Sequence, residues 1–162
     1  MNYFKRENGF TLIEVLVVII IIGILGAVAI PKLVSSTVSA RQKADIATAH
    51  QVKSALDRYQ LENGVYPIEN TDLTVTGGTV TGAGFIPKYI SKLDATTTQQ
   101  AVPATGNKGF GTAELVGTDN YSIADPASVT NTIMIYLSTD GFAAEVRAYD
   151  ETLSEVLWTS AD

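Results

Sequence analysis

Reactive side chains are scarce in this chain. It contains one histidine, His50, and no cysteine, so the sequence lacks the His/Cys spacing typical of a metal site. A lone histidine near the apolar side of a helix is far more often a packed or interfacial residue than a base or a ligand. We therefore interpret His50 as structural, and we predict no catalytic residue and no cofactor.

Two other groups of residues have polar atoms suited to a ligand. The segment 106–111, Gly-Asn-Lys-Gly-Phe-Gly, contains glycines and a lysine, but it matches neither a Walker loop nor a dinucleotide fingerprint, and it is predicted to be a flexible surface loop. Six residues of the C-terminal half offer oxygen ligands, but their spacing differs from that of an EF-hand and favours turns. They are Asp119, Asn120, Asp125, Asp140, Asp150 and Glu151. A calcium site remains an open alternative.

Glu14 is the residue that most needs an explanation. It lies near the start of an apolar run from Phe10 to Ile30, which is long enough to cross a hydrocarbon core of about 30 Å as a helix. A charge at the centre of a bilayer costs about 2.5 to 3.5 kcal/mol, so an ionisable residue in such a run suggests a function. A structural explanation is equally consistent with the position of Glu14. The carboxylate can reach the membrane interface and interact with the positive end of the helix dipole.

The basic residues around the run predict its orientation. Lys5 and Arg6 precede it and no basic residue follows until Lys32, so the N-terminus is predicted to be cytoplasmic and the rest of the chain extracytoplasmic. Cleavage of a secretory signal peptide after Ala29 is the poorer alternative, because the residues before that point only weakly resemble a cleavage site.

The segment 9–15, Gly-Phe-Thr-Leu-Ile-Glu-Val, closely resembles the processing motif of type IV pilins and of the pseudopilins of type II secretion systems. The resemblance covers the leader and the first helix and is weak beyond Gly64. It implies that residues 1–9 are a leader peptide, which a prepilin peptidase removes between Gly9 and Phe10. It also implies that Phe10 becomes the N-methylated first residue.

Cleavage would place an ammonium group at Phe10, four residues from the Glu14 carboxylate. In a filament whose core is made of these helices, Glu14 of one subunit can pair with the Phe10 ammonium of the next. Such a buried pair offsets two desolvation penalties and specifies axial register more than it adds stability. Glu14 is therefore the predicted register and assembly residue.

Gly23, Gly26 and Pro31 interrupt the apolar helix, where glycine costs about 1 kcal/mol and proline about 3 kcal/mol relative to alanine. One interpretation is close packing between helices, which small residues permit. The other comes from the resemblance: type IV pilins carry a glycine and a proline at corresponding places, and the segment between them can lose helical structure in filaments. That segment would be 23–31 here.

The helical pattern continues after the apolar run as an amphipathic segment. Its apolar positions recur at helical spacing, and its polar side includes the i,i+4 pair Lys53 and Asp57. The apolar positions are Ile46, Ala49, Val52, Leu56 and Tyr59, and the remaining polar positions are Arg41, Lys43, Asp45 and Arg58. Asn63 and Gly64 are predicted to end the helix. The predicted divisions are a leader at 1–9, a membrane or filament-core half at 10–36, an amphipathic half at 37–63 and a head at 64–162.

The head is predicted to be an antiparallel sheet packed on the apolar face of the helix, which gives an α+β fold with the ladle-like form of the resembled family. Its first part is rich in glycine and threonine and is predicted to form loops with short strands at most. The segments 132–137 and 142–149 flank an Asp140-Gly141 turn and predict a hairpin. Segments 121–123 and 156–159 are predicted edge strands. Because cysteine is absent, the C-terminal region must be held without the disulfide common in pilins.

The chain has a formal charge of −6, and removal of the leader makes it one unit more acidic. No basic stripe with interleaved aromatic residues remains, so direct nucleic-acid binding is not expected.

The resemblance implies a structural subunit of a type IV pilus that is stored in the membrane and polymerised into a surface filament for adhesion, motility or uptake. Its implied partners are other copies of itself, membrane lipid before assembly, a prepilin peptidase, an inner-membrane platform protein and an assembly ATPase. Two alternatives remain open. One is a pseudopilin of a type II secretion or competence system, and the other is a membrane-tethered enzyme or binding protein that stays monomeric.

Overall fold

The computed structural model describes residues 9–101, 107–125 and 128–161. This part of the chain contains a long helix followed by seven strands, which confirms the predicted α+β class. The elements are α1 (Leu12–Asn63), β1 (Thr74–Thr76), β2 (Thr79–Thr81), β3 (Asn107–Val116), β4 (Ser122–Ile123), β5 (Asn131–Ser138), β6 (Ala144–Tyr149) and β7 (Val156–Thr159).

Helix α1 has 52 residues and includes Pro31 in its interior. It ends at Asn63 as predicted, because Gly64 adopts a left-handed conformation with φ of 83° and its N–H donates to the carbonyl of Gln60 at 2.8 Å. Contacts within the chain divide it into two compact units, with the boundary between Val38 and Ser39. That boundary lies two residues after the predicted division of the helix.

In the first unit, the apolar side chains of α1 have no partner within the described chain. Leu12 is 85% exposed, Ile24 63% and Leu33 68%. The helix contains a segment long and apolar enough to cross a membrane, and none of that segment is buried.

In the second unit, the core forms between α1 and one face of a five-stranded sheet. The predicted apolar positions Ala49, Val52, Leu56 and Tyr59 are buried, and Ile46 is partly buried against them. They pack in one cluster with residues of the sheet and of the loop before it, which include Phe85, Leu93, Phe110, Ile133, Ile135 and Val146. The amphipathic pattern therefore identified the docking face of the helix correctly.

The sheet has the strand order β4-β3-β5-β6-β7. The predicted hairpin is confirmed as β5 and β6, paired antiparallel from Ile133 with Ala148 to Leu137 with Ala144. Strands β4 and β7 lie at the two edges, as predicted. The sheet is not wholly antiparallel, because β3 and β5 pair in parallel from Phe110 with Ile133 to Leu115 with Ser138. Strand β4 turns back antiparallel along the end of β3, so the chain returns to the start of β3 before β5 begins.

The prediction of a surface loop at 106–111 is wrong for residues 107–111, and Gly106 lies outside the described residues. Asn107 begins the ten-residue strand β3, and Phe110 is fully buried. The N–H of Phe110 donates to the carbonyl of Gly78 at 3.0 Å, and a Cβ on Gly109 would lie 2.2 Å from that same oxygen. The glycine at position 109 therefore permits close backbone approach to the β1–β2 turn.

The outer face of the sheet is covered as well, so every residue of β5 is buried. A second cluster contains Leu115, Met134, Tyr136 and Tyr149, with Leu153 of the 150–155 turn packed against it. The hydroxyls of Tyr136 and Tyr149 lie 2.7 Å apart in a hydrogen bond. In the second unit, packing and hydrogen bonds thus hold the C-terminal region of this cysteine-free chain.

Asp45 corrects another prediction, because it is not on the polar side of the helix but fully buried. Its carboxylate accepts the N–H of Gln99 at 2.6 Å, and the N–H and Nε2 of Gln100, each at 3.2 Å. The amide of Gln100 also donates to the carbonyl of Tyr149 at 2.8 Å. The Asp45 carboxylate thus connects the loop before β3 to α1. The Gln100 amide connects the same loop to the end of β6.

We expect Asp45→Ala to destabilise the protein by about 3 kcal/mol, because it leaves two backbone N–H groups and a buried amide without their acceptor. Asp45→Asn retains one oxygen and should have a smaller effect. The measurement is urea unfolding of the detergent-solubilised chain, followed by the fluorescence of its single tryptophan, Trp158. Glu155→Ala, at an exposed side chain with no hydrogen bond or ion pair to a described residue, is the control and should leave the unfolding midpoint nearly unchanged. An unfolding curve of Asp45→Ala that matches this control would contradict the assignment.

A second expectation concerns the hydrogen bond from the Tyr121 hydroxyl to Asp140, 2.7 Å long. The bond to Asp140 raises the pKa of Tyr121 to about 12, and the backbone N–H of Phe142, with other donors, lowers the pKa of Asp140. The contribution of Tyr121 to stability is therefore full below its ordinary pKa of 10.0 and is lost as pH rises toward 12. That of Asp140 is full above 3.8 and is lost as pH falls below that value.

The ultraviolet absorbance of tyrosinate checks this expectation. Subtracting the titration of Tyr121→Phe from that of the parent chain should isolate one tyrosine with a pKa near 12. In Asp140→Asn the same tyrosine should titrate closer to the ordinary value, because a neutral amide stabilises the protonated hydroxyl less. An identical titration of Tyr121 in both backgrounds would contradict the role of the carboxylate.

Candidate assembly site at the start of the helix

The first turn of α1 contains the carboxylate that the sequence singled out. Leu12 is the first helical residue, so Thr11 is the N-cap and Glu14 is the third residue of the helix. The Thr11 N–H and hydroxyl donate to Glu14 Oε2 at 2.8 and 2.7 Å, and the Glu14 N–H donates to the Thr11 hydroxyl at 3.3 Å. These reciprocal bonds form a capping box, which satisfies backbone donors at the helix start.

The capping role of Thr11 was not predicted from the sequence, although Thr-x-x-Glu before an apolar run is its usual signature. In the single chain, Glu14 therefore has hydrogen-bond partners in its own first turn. The carboxylate is also close to the positive end of the helix dipole. Both features give the carboxylate favourable contacts before any partner subunit is present.

The structure brings the predicted processing and assembly residues together. Phe10 is 81% exposed, and it lines a shallow apolar groove with Ile13, Glu14, Val17 and Val18. Gly9 is exposed and lies just before the helix. The other residues of the predicted leader, 1–8, lie outside the described residues.

Gly23, Gly26 and Pro31 lie within continuous helix, so the segment 23–31 is helical in this chain. A Cβ added at Gly23 or Gly26 would meet no atom within 4 Å. Packing within the chain therefore does not require glycine at either position. The two remaining explanations for glycine at positions 23 and 26 are close contact with another helix and local flexibility.

His50 lies on α1 with its ring against Trp158 of β7, the two centroids 4.1 Å apart and the planes inclined by 41°. This contact agrees with the structural role predicted for His50, because the ring packs between the helix and the last strand. Within residues 9–101, 107–125 and 128–161, no group of three or more His, Cys, Asp or Glu side chains is close enough to hold a metal ion.

The acidic residues considered as calcium ligands are found mostly in turns. Asp140 accepts the N–H of Phe142 at 2.9 Å, and Asp150 accepts the N–H groups of Ser154 and Glu155 at 2.9 and 3.0 Å. These bonds are the turn roles that the sequence favoured. Asp119 and Asn120 lie exposed in the turn between β3 and β4, Asp125 is exposed just after β4, and Glu151 is half-buried beside Asp150.

Comparison with known proteins gives a match at the same N-terminal segment. Residues 4–30 match the family model described as the prokaryotic N-terminal methylation motif. That range includes Gly9, Phe10 and Glu14 and most of the apolar run. No solved structure matches the chain significantly.

Among curated relatives, the chain is 37% identical over 73 residues to type II secretion system core protein G of Vibrio cholerae, covering 45% of this chain and 50% of that protein. It is 37% identical over 87 residues to the type IV major pilin protein PilE of Neisseria gonorrhoeae, covering 54% and 50%. It is 42% identical over 73 residues to a fimbrial protein of Neisseria meningitidis, covering 45% and 43%. The chain thus spans about half the length of the curated relatives it matches.

The relatives bear the names of pilins and of a secretion-system core protein, and none of these three names is that of an enzyme. The methylation motif, the capped carboxylate at the helix start and the exposed apolar helix agree with one another. Through this N-terminal segment, the chain is similar to type IV pilins and to core protein G of type II secretion systems.

Proposed function

We propose that this protein is a structural subunit of a type IV pilus and not an enzyme. It is made as a membrane-anchored precursor, processed between Gly9 and Phe10, methylated at Phe10 and polymerised into a surface filament. The observation that supports this most is the apolar half of α1, which is exposed along its length in the single chain. A matching methylation motif covers the same residues.

The exposed apolar surface requires a partner at every stage. Burying apolar surface stabilises by about 25 cal/mol per Å², so the helix resides in lipid before assembly and among identical helices afterwards. Extraction of the apolar helix from lipid is unfavourable until contacts with neighbouring helices replace its contacts with lipid. Assembly machinery must therefore couple the two steps, and the proposed components are a platform protein and an assembly ATPase, besides the prepilin peptidase.

Glu14 sets the register between neighbouring subunits in this proposal. In the single chain its carboxylate is held by Thr11, and in the filament it pairs with the Phe10 ammonium of a neighbour. The ammonium has no other counter-charge in the apolar core. A misregistered helix would therefore leave a buried charge unpaired, at a cost of about 3 to 5 kcal/mol.

We also propose that the segment 23–31 changes conformation during assembly. Gly23 and Gly26 have no packing role within the chain, and Pro31 cannot donate a backbone hydrogen bond in the helix. These residues make the segment the weakest part of α1. Local loss of helix there lets the rod lengthen under tension.

A pseudopilin of a type II secretion or competence system is the second candidate. Relatives named as core protein G of type II secretion systems support it through the same N-terminal segment. Deletion of the gene separates the two candidates. Loss of surface filaments with normal protein secretion supports the pilus, whereas loss of secretion without loss of filaments supports the pseudopilin.

Mass spectrometry of the native protein tests the processing step. We expect the mature chain to begin at Phe10 and to carry one methyl group on its amine. Gly9→Val should block processing, because a side chain then occupies the position before the cut, and the chain should keep its leader. A native protein that begins at Met1 would rule out the proposed maturation.

Variants at the capping box test the role of Glu14. We expect Glu14→Ala and Glu14→Gln to be processed and inserted normally but to yield at least about tenfold less sheared filament, because both leave the Phe10 ammonium unpaired. Glu14→Gln is the informative variant, since its amide oxygen still accepts the bonds from Thr11. Thr11→Val removes the cap but keeps the charge, and it should assemble better than Glu14→Gln. Normal filament yield from Glu14→Gln would remove the charge from the mechanism.

A further inference from the structure

Charge is unevenly distributed along this chain. Between Glu14 and Asp45 the only charged residues are the cations Lys32, Arg41 and Lys43. From residue 109 onward, Arg147 is the sole Lys or Arg, and it pairs with Glu145. The sequence thus places unopposed positive charge in the middle of the helix and an excess of negative charge on the later part of the sheet.

Arg41 and Lys43, which we call the basic segment, have no partner within the described residues. Both side chains are exposed, and neither makes an ion pair or a side-chain hydrogen bond there. By contrast, Lys53, Lys88 and Lys92 each pair with a nearby carboxylate. Lys43 lies nine residues before the buried Val52, which is half a turn around a helix, so it faces away from the core-facing stripe. Arg41 lies eleven residues before Val52, about 20° from it around the helix, so it projects on the side of the stripe, one turn before the buried Asp45.

Three residues with exposed carboxylates lie toward one end of the sheet, and we call Glu114, Asp119 and Asp140 the acidic end. Strand pairing places Leu115 beside both Ile123 and Ser138, which brings the β3–β4 and β5–β6 turns together. The hydrogen bond from Tyr121 to Asp140 joins the two turns. These three carboxylates form no ion pair with a described residue.

The acidic end lies level with the C-terminal end of the helix. The Tyr66 N–H, just after the helix, donates to the carbonyl of Gly141 in the β5–β6 turn at 2.7 Å. The basic segment lies about 20 residues earlier, which is roughly 30 Å along a helix at 1.5 Å per residue. Two parallel copies shifted by about 30 Å along their helices would bring the basic segment of one level with the acidic end of the other.

We propose that the basic segment of one subunit binds the acidic end of a second copy of this chain, and that this contact sets the stagger between subunits that are not nearest along the axis. The proposal rests on the proposed function, because it requires parallel copies in a filament. The charges complement each other only between copies, since neither set is neutralised within its own chain. Like-charged heads of an acidic protein repel, and this contact offsets that repulsion.

Charge reversal in the full-length chain tests the contact. Arg41→Glu with Lys43→Glu should be processed and inserted normally, yet should give at least about tenfold less sheared filament, because it sets like charges against each other. Adding Glu114→Lys and Asp119→Lys should restore most of the yield. The single reversals Lys43→Glu and Lys108→Glu form a matched pair, because Lys108 is also exposed and forms no ion pair with a described residue. Lys108→Glu should assemble like the parent chain, whereas Lys43→Glu should not. Parent-like assembly of the first variant, or no rescue by the second pair, would overturn the proposal.

Cross-linking gives an independent readout, because the chain has no cysteine of its own. A chain with Lys43→Cys and Asp119→Cys should form a ladder of disulfide-linked multimers in filaments under oxidation, whereas each single variant should stay monomeric. Filaments that form but give no ladder would overturn this contact and leave the proposed function standing. A parent chain found only as membrane-bound monomer would overturn both.

Discussion

The exposed apolar surface of the first half of α1 is the constraint on which the rest of this structure depends. No residue of the described chain covers it, and it is too extensive to remain in water. Lipid and a bundle of like helices are two environments that satisfy it equally well, since neither requires polar partners along the rod. Such a surface does not determine how one helix is aligned along the axis relative to its neighbours. That axial register has to be determined by the few polar groups on the helix. Glu14 is the group that we propose for this role, and in the single chain its carboxylate is hydrogen-bonded to Thr11.

The second unit solves a different problem, which is to hold a loop-rich domain on one helix without a disulfide. Asp45 is central, because its buried carboxylate forms no ion pair with a described residue and is satisfied by donors of Gln99 and Gln100. Removing one partner from such a group leaves the others unsatisfied, so the loop and the helix are coupled. The ring of His50 contacts Trp158, which adds a packing contact between the last strand and the helix. The helix thus contacts both the loop before β3, through Asp45, and the last strand, through His50.

Features of local origin were predictable from the sequence. The stripe from Ile46 to Tyr59 follows the helical period, Gly64 provides the left-handed stop, and the Asp140-Gly141 turn marks its hairpin. Strand β3 was missed because the role of Gly109 depends on a turn 31 residues earlier in the chain, at Gly78. The burial of Asp45 was missed because its donors lie 54 and 55 residues away. The capping box of Thr11 and Glu14 was also missed, although it is local and the Thr-x-x-Glu pattern was sufficient to predict it.

The two polar contacts proposed for assembly determine different axial steps between subunits. Phe10 and Glu14 are four residues apart within one chain, which is about 6 Å along a helix at 1.5 Å per residue. A pair between Glu14 of one subunit and the Phe10 ammonium of the next therefore fixes a short axial step of about that size. The basic segment and the acidic end are separated by about 30 Å along one subunit, so they fix a longer step between different neighbours. The first pair lies in an apolar core, where an unpaired charge is severely penalised. The second lies at the solvated surface, where salt screens it. Register in the core should therefore persist at high ionic strength, while the contact between heads weakens.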